Sequence, residues 1–88
     1  MAIVVLPRSL VALFPGAERR VEVGAVGSVA GAIDALDARW PGLRDRVVEA
    51  GPAIREYINV FVDGEPASLA TAVAERATIH ILPAVAGG

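Results

Sequence analysis

The chain has 88 residues, which suffices for one small domain with a single modest core and excludes a multidomain enzyme. Hydrophobic residues make up 55% of the chain, which predicts a globular protein, and a net charge of −2 at pH 7 argues against nucleic acid as a partner. Cysteine is absent, so thiol catalysis, disulfides and cysteine-based metal sites are excluded.

Other residue types narrow the function further. A single histidine, His80, cannot supply a zinc site, and we expect no bound metal. All 8 basic residues are arginine, which excludes a Schiff-base lysine and a lysine-bearing phosphate loop. No apolar run is long enough to span a bilayer, and the first residues do not resemble a signal peptide. We therefore expect a soluble cytoplasmic protein with no membrane partner.

The first quarter of the chain predicts two strands. Residues 2–6 are apolar and largely β-branched, and Pro7 stops them. Residues 8–14 form a helical turn or an irregular loop. Residues 19–23 then alternate polar and apolar with the period of a strand. The two strands predict an antiparallel hairpin.

One helix is predicted from Ser28, a good N-cap residue, to Trp40, where Pro41-Gly42 ends it. Four apolar side chains recur at helical spacing and form one stripe: Val29, Ile33, Leu36 and Trp40. This helix therefore has a single face to bury, and Trp40 is interpreted as core.

The second half of the chain predicts two more strands and two short turns of helix. Residues 44–50 and residues 69–74 each favour a brief helical turn. Residues 57–62 form a strand that runs into the turn at Asp63-Gly64, and residues 78–82 form the last strand, which Pro83 ends. We divide the chain into one domain, residues 1–82, and a flexible C-terminal tail, residues 83–88.

These elements predict an α+β fold, a mixed sheet of four to five strands with one main helix across one face. We place Ile3 and Val5 on the face toward the helix, with the apolar residues of the other strands. The residues predicted to share the opposite face and to form a docking surface for a partner are Val4, Leu6, Phe61, His80 and Leu82. The alternative is that this face is merely apolar or contacts a second copy.

No catalytic constellation is evident. Ser9, Ser28 and Ser68 could be combined with His80, but nothing places them together and no serine has the glycine pattern of a nucleophile elbow. The pair Gly87-Gly88 at the end of the tail is more informative. Because glycine lacks a Cβ atom, such a segment can enter a slot that any side chain would block.

These segments together resemble the β-grasp sulfur-carrier proteins of the MoaD/ThiS family, which are relatives of ubiquitin. The resemblance covers almost the whole chain and rests on MAIVVL at the start, the helix from Ser28 to Trp40, NVFVDG at 59–64 and ILPAVAGG at 81–88. Within the family, LATAVA at 69–74 and the LPAVAGG ending are most similar to the CysO-type branch. Residues 75–77 depart from the Asp-Gly-Asp-like turn that is usual in the family.

The resemblance implies a co-substrate with no catalytic residue and no bound cofactor. An E1-like adenylyltransferase/sulfurtransferase would bind the docking surface, draw in Val85, Ala86 and Gly87, and use ATP to adenylate the Gly88 carboxylate. A sulfur donor would then leave a thiocarboxylate on Gly88. In the CysO-type pathway a PLP-dependent cysteine synthase accepts this sulfur, and a JAMM-type zinc peptidase releases cysteine.

Other roles remain open. The resemblance also permits a MoaD-like small subunit of molybdopterin synthase, acting with its large subunit, or a sulfur donor to a thiazole-synthase-like protein or another sulfur-containing metabolite pathway. A ubiquitin-like modifier is a further alternative, although a chain without lysine cannot build lysine-linked chains on itself. The last alternative is a plain interaction module, in which the tail has no function.

Overall fold

The computed structural model describes residues 1–83 of the chain. In that range the elements are, in chain order, β1 (Ala2–Val5), α1 (Arg8–Val11), β2 (Arg20–Val23), α2 (Val29–Arg39), α3 (Leu43–Val47), β3 (Val48–Glu49), β4 (Ala53–Ile54), β5 (Ile58–Val62), β6 (Glu65–Pro66) and β7 (Thr78–Pro83). None of the helices there is long and apolar enough to cross a membrane.

Five of the strands form one mixed sheet in the order β2-β1-β7-β5-β6. The neighbouring strands β1 and β7 are parallel, and all the other neighbouring strands are antiparallel. The strands β3 and β4 form a separate small hairpin. This arrangement confirms the predicted α+β architecture, with α2 as the main helix covering one face of the sheet. We call the covered face the inner face and the opposite one the outer face.

The helix α2 begins and ends as its sequence predicts. Ser28 is the N-cap, and its Oγ accepts a hydrogen bond from the backbone N–H of Gly31 at 3.1 Å. The stripe of Val29, Ile33 and Leu36 is buried in the core, at 0 to 1% exposure. Trp40, predicted as core, is only partly buried because it follows the last turn of the helix, and the Arg39 guanidinium lies 4.6 Å from the centre of its ring.

Residues 69–73 do not form the predicted helical turn. The carbonyl oxygens of Leu69 and Thr71 accept hydrogen bonds from the N–H groups of Ala30 and Val29, each at 3.0 Å. A bridge between Ser28 and Ala72 continues this pairing. The segment therefore runs beside the first turn of α2 and bonds to it, and its own hydrogen bonds are limited to a single turn between Ser68 and Thr71.

The turn of helix predicted at residues 44–50 is present as α3, but it is shorter than predicted. The helix α3 ends at Val47, and the next residues form the hairpin of β3 and β4. Asp37 links α3 to α2, since its Oδ1 accepts hydrogen bonds from the N–H groups of Gly42 at 3.1 Å and Arg44 at 3.0 Å.

The phase predicted for β1 is wrong. Val4 is paired with Val21 of β2 and with Ile79 of β7, and directly paired residues lie on the same face of a sheet. Both partners belong to the core, so Val4 also faces inward, at 0% exposure, and Leu6 is equally buried. Ile3 and Val5 are half-buried and lie on the outer face.

The buried stripe of α2 gives a test of the core. Leu36→Ala removes a side chain that is 0% exposed and lies in one cluster with Val60 and Ile81, so we expect unfolding to cost about 2 to 5 kcal/mol less than in the parent chain. The matched control is Leu82→Ala, which makes the same truncation at a site that is 38% exposed. Urea denaturation should show a clearly larger loss for Leu36→Ala, and equal losses would contradict the packing of α2.

Candidate functional site: the outer face of the sheet and the C-terminal end

The outer face carries a continuous row of side chains across the whole sheet. Val5 of β1 is paired with His80 of β7, and His80 is paired with Phe61 of β5. The same row continues to Arg20 of β2 on one side and to Pro66 of β6 on the other. Val5, His80 and Phe61 are half-buried.

Two further apolar side chains extend this row. Ile3 is paired with Thr78, and Leu82, which is 38% exposed, is paired with Asn59. We call the resulting set the outer-face cluster: Ile3, Val5, Phe61, His80 and Leu82. An apolar centre with polar side chains around it is the composition of a protein docking surface.

Three of the five predicted docking residues lie on this face, namely Phe61, His80 and Leu82. Val4 and Leu6 do not, because they are buried in the core under α2. Ile3 and Val5 lie on the outer face instead, although their sequence pattern predicts the inner face. The register of β1 with the alternating strand β2 places Ile3 and Val5 on the outer face. The sequence does not give this register, because a long connection separates the two strands.

No catalytic constellation is evident around the outer-face cluster among residues 1–83. The hydroxyl of Ser28 caps α2, and the Ser68 hydroxyl lies 3.5 Å from the hydroxyl of Thr71, so neither is hydrogen-bonded to His80. Residues 1–83 hold no group of three acidic or histidine side chains that could bind a metal ion. The docking of another protein on this face stays a prediction.

The predicted threading residues Val85, Ala86 and Gly87 and the predicted sulfur-carrying residue Gly88 lie outside the described residues. The strand that precedes them in the chain is β7. Pro83, predicted as the first residue of the tail, is still paired with Ile58 and is the last residue of β7. Residues 84–88 therefore follow, in the chain, the middle strand of the sheet, which carries His80 and Leu82.

Comparison with known proteins connects this geometry to a family. The ThiS family model matches residues 4–88. The sulfur carrier protein CysO of Mycobacterium tuberculosis is 37% identical over 73 residues, which cover 75% of this chain and 78% of that protein. The small archaeal modifier protein 1 of Haloferax volcanii is 36% identical over 69 residues, which cover 78% of this chain and 79% of that protein.

The fold has a solved counterpart along its entire length. A crystal structure of the Amycolatopsis orientalis BexX/CysO complex contains a chain with a TM-score of 0.85 and 32% identity, and the match covers 100% of both chains. The resemblance to MoaD/ThiS proteins and the ubiquitin-like β-grasp fold are thereby confirmed. Proteins of this type are substrates of activating enzymes and not enzymes themselves. The chain belongs to the ThiS family and is a small β-grasp protein of the sulfur-carrier and ubiquitin-like modifier type.

Proposed function

We propose that this protein carries sulfur as a thiocarboxylate on Gly88 and delivers it to cysteine biosynthesis. The observation that carries the proposal is the Gly87-Gly88 ending, which the family match includes and which is separated by three residues from the last residue of β7 in the sequence. The similarity to CysO, a sulfur carrier protein, supports the same reading.

The chemistry proceeds in two steps at the Gly88 carboxylate. One carboxylate oxygen attacks the α-phosphate of ATP in the active site of an activating enzyme, which forms an acyl-adenylate and releases pyrophosphate. A sulfide donor then attacks the acyl carbon, and the C–O bond to AMP breaks. AMP leaves, and a thiocarboxylate remains. Sulfur in this form is a strong nucleophile that stays bound to the protein until an acceptor takes it.

The activating enzyme docks on the outer-face cluster in this proposal. The five residues after Pro83 can span at most about 3.3 Å each and therefore roughly 17 Å, which limits how far the adenylation site lies from the docking surface. Leu82 and His80 are on the strand from which this segment leaves. Binding there would hold the start of the segment in a fixed place and direct Gly88 into the partner's active site.

A second candidate function is protein modification. The similarity to small archaeal modifier protein 1 favours it, since that relative is named as a modifier. In that case the acyl carbon of Gly88 would be attacked by an amine of another protein instead of by sulfide. The two functions share the activation step and differ in the product, so a blot of cell lysate against this chain distinguishes them. A ladder of conjugates would favour the modifier role, and only free carrier would favour sulfur delivery.

Removal of Gly88 should abolish adenylation and leave the fold intact. Within residues 1–83 the core cluster ends at Ile81, and a glycine has no side chain to pack, so we expect the deletion to leave the core unchanged. Gly87→Val should slow the reaction because the added branched side chain would conflict with a narrow slot. Intact-mass analysis after incubation with the activating enzyme, ATP and sulfide should show one oxygen replaced by sulfur in the parent chain, more slowly in Gly87→Val and not at all in the chain that lacks Gly88.

The matched control is Gly24→Val. A Cβ atom at Gly24 would meet no other atom within 4 Å, so this variant makes the same substitution in open space and should acquire sulfur at the parent rate. Sulfur transfer by the chain that lacks Gly88 would refute the role of the tail.

Phe61→Asp should weaken activation without unfolding the domain. Phe61 is the largest apolar side chain of the outer-face cluster, so a charge there removes an apolar anchor, and we expect a loss of about 2 kcal/mol, or roughly thirtyfold in affinity for the activating enzyme. Pyrophosphate exchange measures the effect, and circular dichroism checks the fold.

Leu13→Asp is the matched control for Phe61→Asp. Leu13 is a large apolar side chain that is 50% exposed, but it lies outside the five-stranded sheet. Its replacement should leave pyrophosphate exchange unchanged. If both variants behave alike, the docking surface lies elsewhere.

A further inference from the structure

The strand β2 forms a free edge of the five-stranded sheet within the described chain. The N–H of Leu6 donates to the carbonyl oxygen of Arg19 at 2.7 Å, which fixes the alternation of hydrogen bonds along the β1–β2 pair. By this alternation Val21 directs its backbone N–H and C=O toward β1. The backbone groups of Arg20 and Glu22 point away from the sheet, where an additional strand would bind.

One of these edge groups already has a weak partner. The Arg39 guanidinium donates to the carbonyl oxygen of Glu22 at 3.5 Å. This distance is longer than that of a typical N–H···O hydrogen bond, so the interaction is weak. Both residues are exposed, so the Arg39 side chain can move aside without disturbing the core. No other backbone partner of the outward groups of Arg20 and Glu22 is found among residues 1–83.

The side chains on this edge are complementary in charge to those of the same edge in a second copy of the chain. Arg20 and Glu22 both lie on the outer face and carry opposite charges, with Val21 between them on the inner face. When two such strands run antiparallel with Val21 opposite Val21, each Arg20 lies opposite a Glu22. This register also brings the outward backbone groups of Arg20 and Glu22 face to face, as hydrogen bonding requires.

We propose that β2 is a docking edge for a second copy of this chain, which joins two sheets into one through a two-fold axis at Val21. Each copy contributes one Arg20 and one Glu22 to two cross-strand ion pairs, and each Arg20 and Glu22 pair exchanges two backbone hydrogen bonds. Gly24, just beyond the strand, has open space around it and presents no side chain against the second copy.

The assembly stops at two copies. A two-fold contact uses the β2 edge of both chains and leaves no second β2 edge free. The opposite edge, β6, has only two residues, and one of them, Pro66, has no N–H to donate. Because residues opposite each other in an antiparallel pair share a face, both outer-face clusters open on the same side of the dimer, clear of the new contact.

Charge reversal tests this dimer. Arg20→Glu places two acidic residues opposite each other, and Glu22→Arg places two arginines opposite each other. We expect either variant to weaken self-association about tenfold or more in sedimentation velocity measured from micromolar to millimolar protein. The double variant R20E/E22R restores both ion pairs and should dimerise as the parent does. An equimolar mixture of the two single variants should form a heterodimer.

Arg46→Glu is the control, since it makes the same charge change at an exposed position of α3, outside the sheet. It should leave self-association unchanged. A parent chain that is monomeric up to millimolar concentration overturns the proposal, and so does a dimer that neither single variant weakens. A dimer that Phe61→Asp dissociates while the charge-reversed variants remain associated would place the contact on the outer-face cluster and would also overturn it. None of these measurements depends on Gly88 or on sulfur transfer.

Discussion

The pairing of β7 with β1 on one side and with β5 on the other is the interaction on which the rest of the structure depends. It joins the first strand of the chain to the last one in the middle of the sheet. Ile79 and Ile81 are thereby buried at 1 and 0% exposure under α2, while His80 and Leu82 face the opposite way. One strand thus supplies the centre of the core and the centre of the candidate docking surface, and it also delivers the C-terminal segment.

The features that the sequence predicted well are those with local causes. The helix α2 has its N-cap in Ser28 and its stripe at regular spacing, and both signals lie within the helix itself. The strands β5 and β7 alternate between buried and more exposed residues, so Phe61 and His80 could be assigned to the correct face. For these elements the pattern of one segment suffices.

The errors arise where distant pairing decides the outcome. Every residue of β1 is apolar, so its own pattern carries no phase, and only its register with β2 and β7 directs Val4 inward and Val5 outward. Residues 69–74 have the composition of a helical turn. Their carbonyl groups nevertheless bond to α2, which no local signal reveals. The role of the Gly87-Gly88 ending is predicted from residue chemistry and from the family resemblance. These residues lie beyond the part of the chain that the structure describes.

The segment beside the first turn of α2 has a chemical consequence. The N–H groups of the first residues of a helix commonly hold a phosphate group, because they have no partner within the helix. In this chain the N–H groups of Val29 and Ala30 donate to carbonyl oxygens of residues 69–71, and that of Gly31 donates to the Ser28 hydroxyl. A phosphate group would therefore find no unpaired backbone donor at this helix terminus.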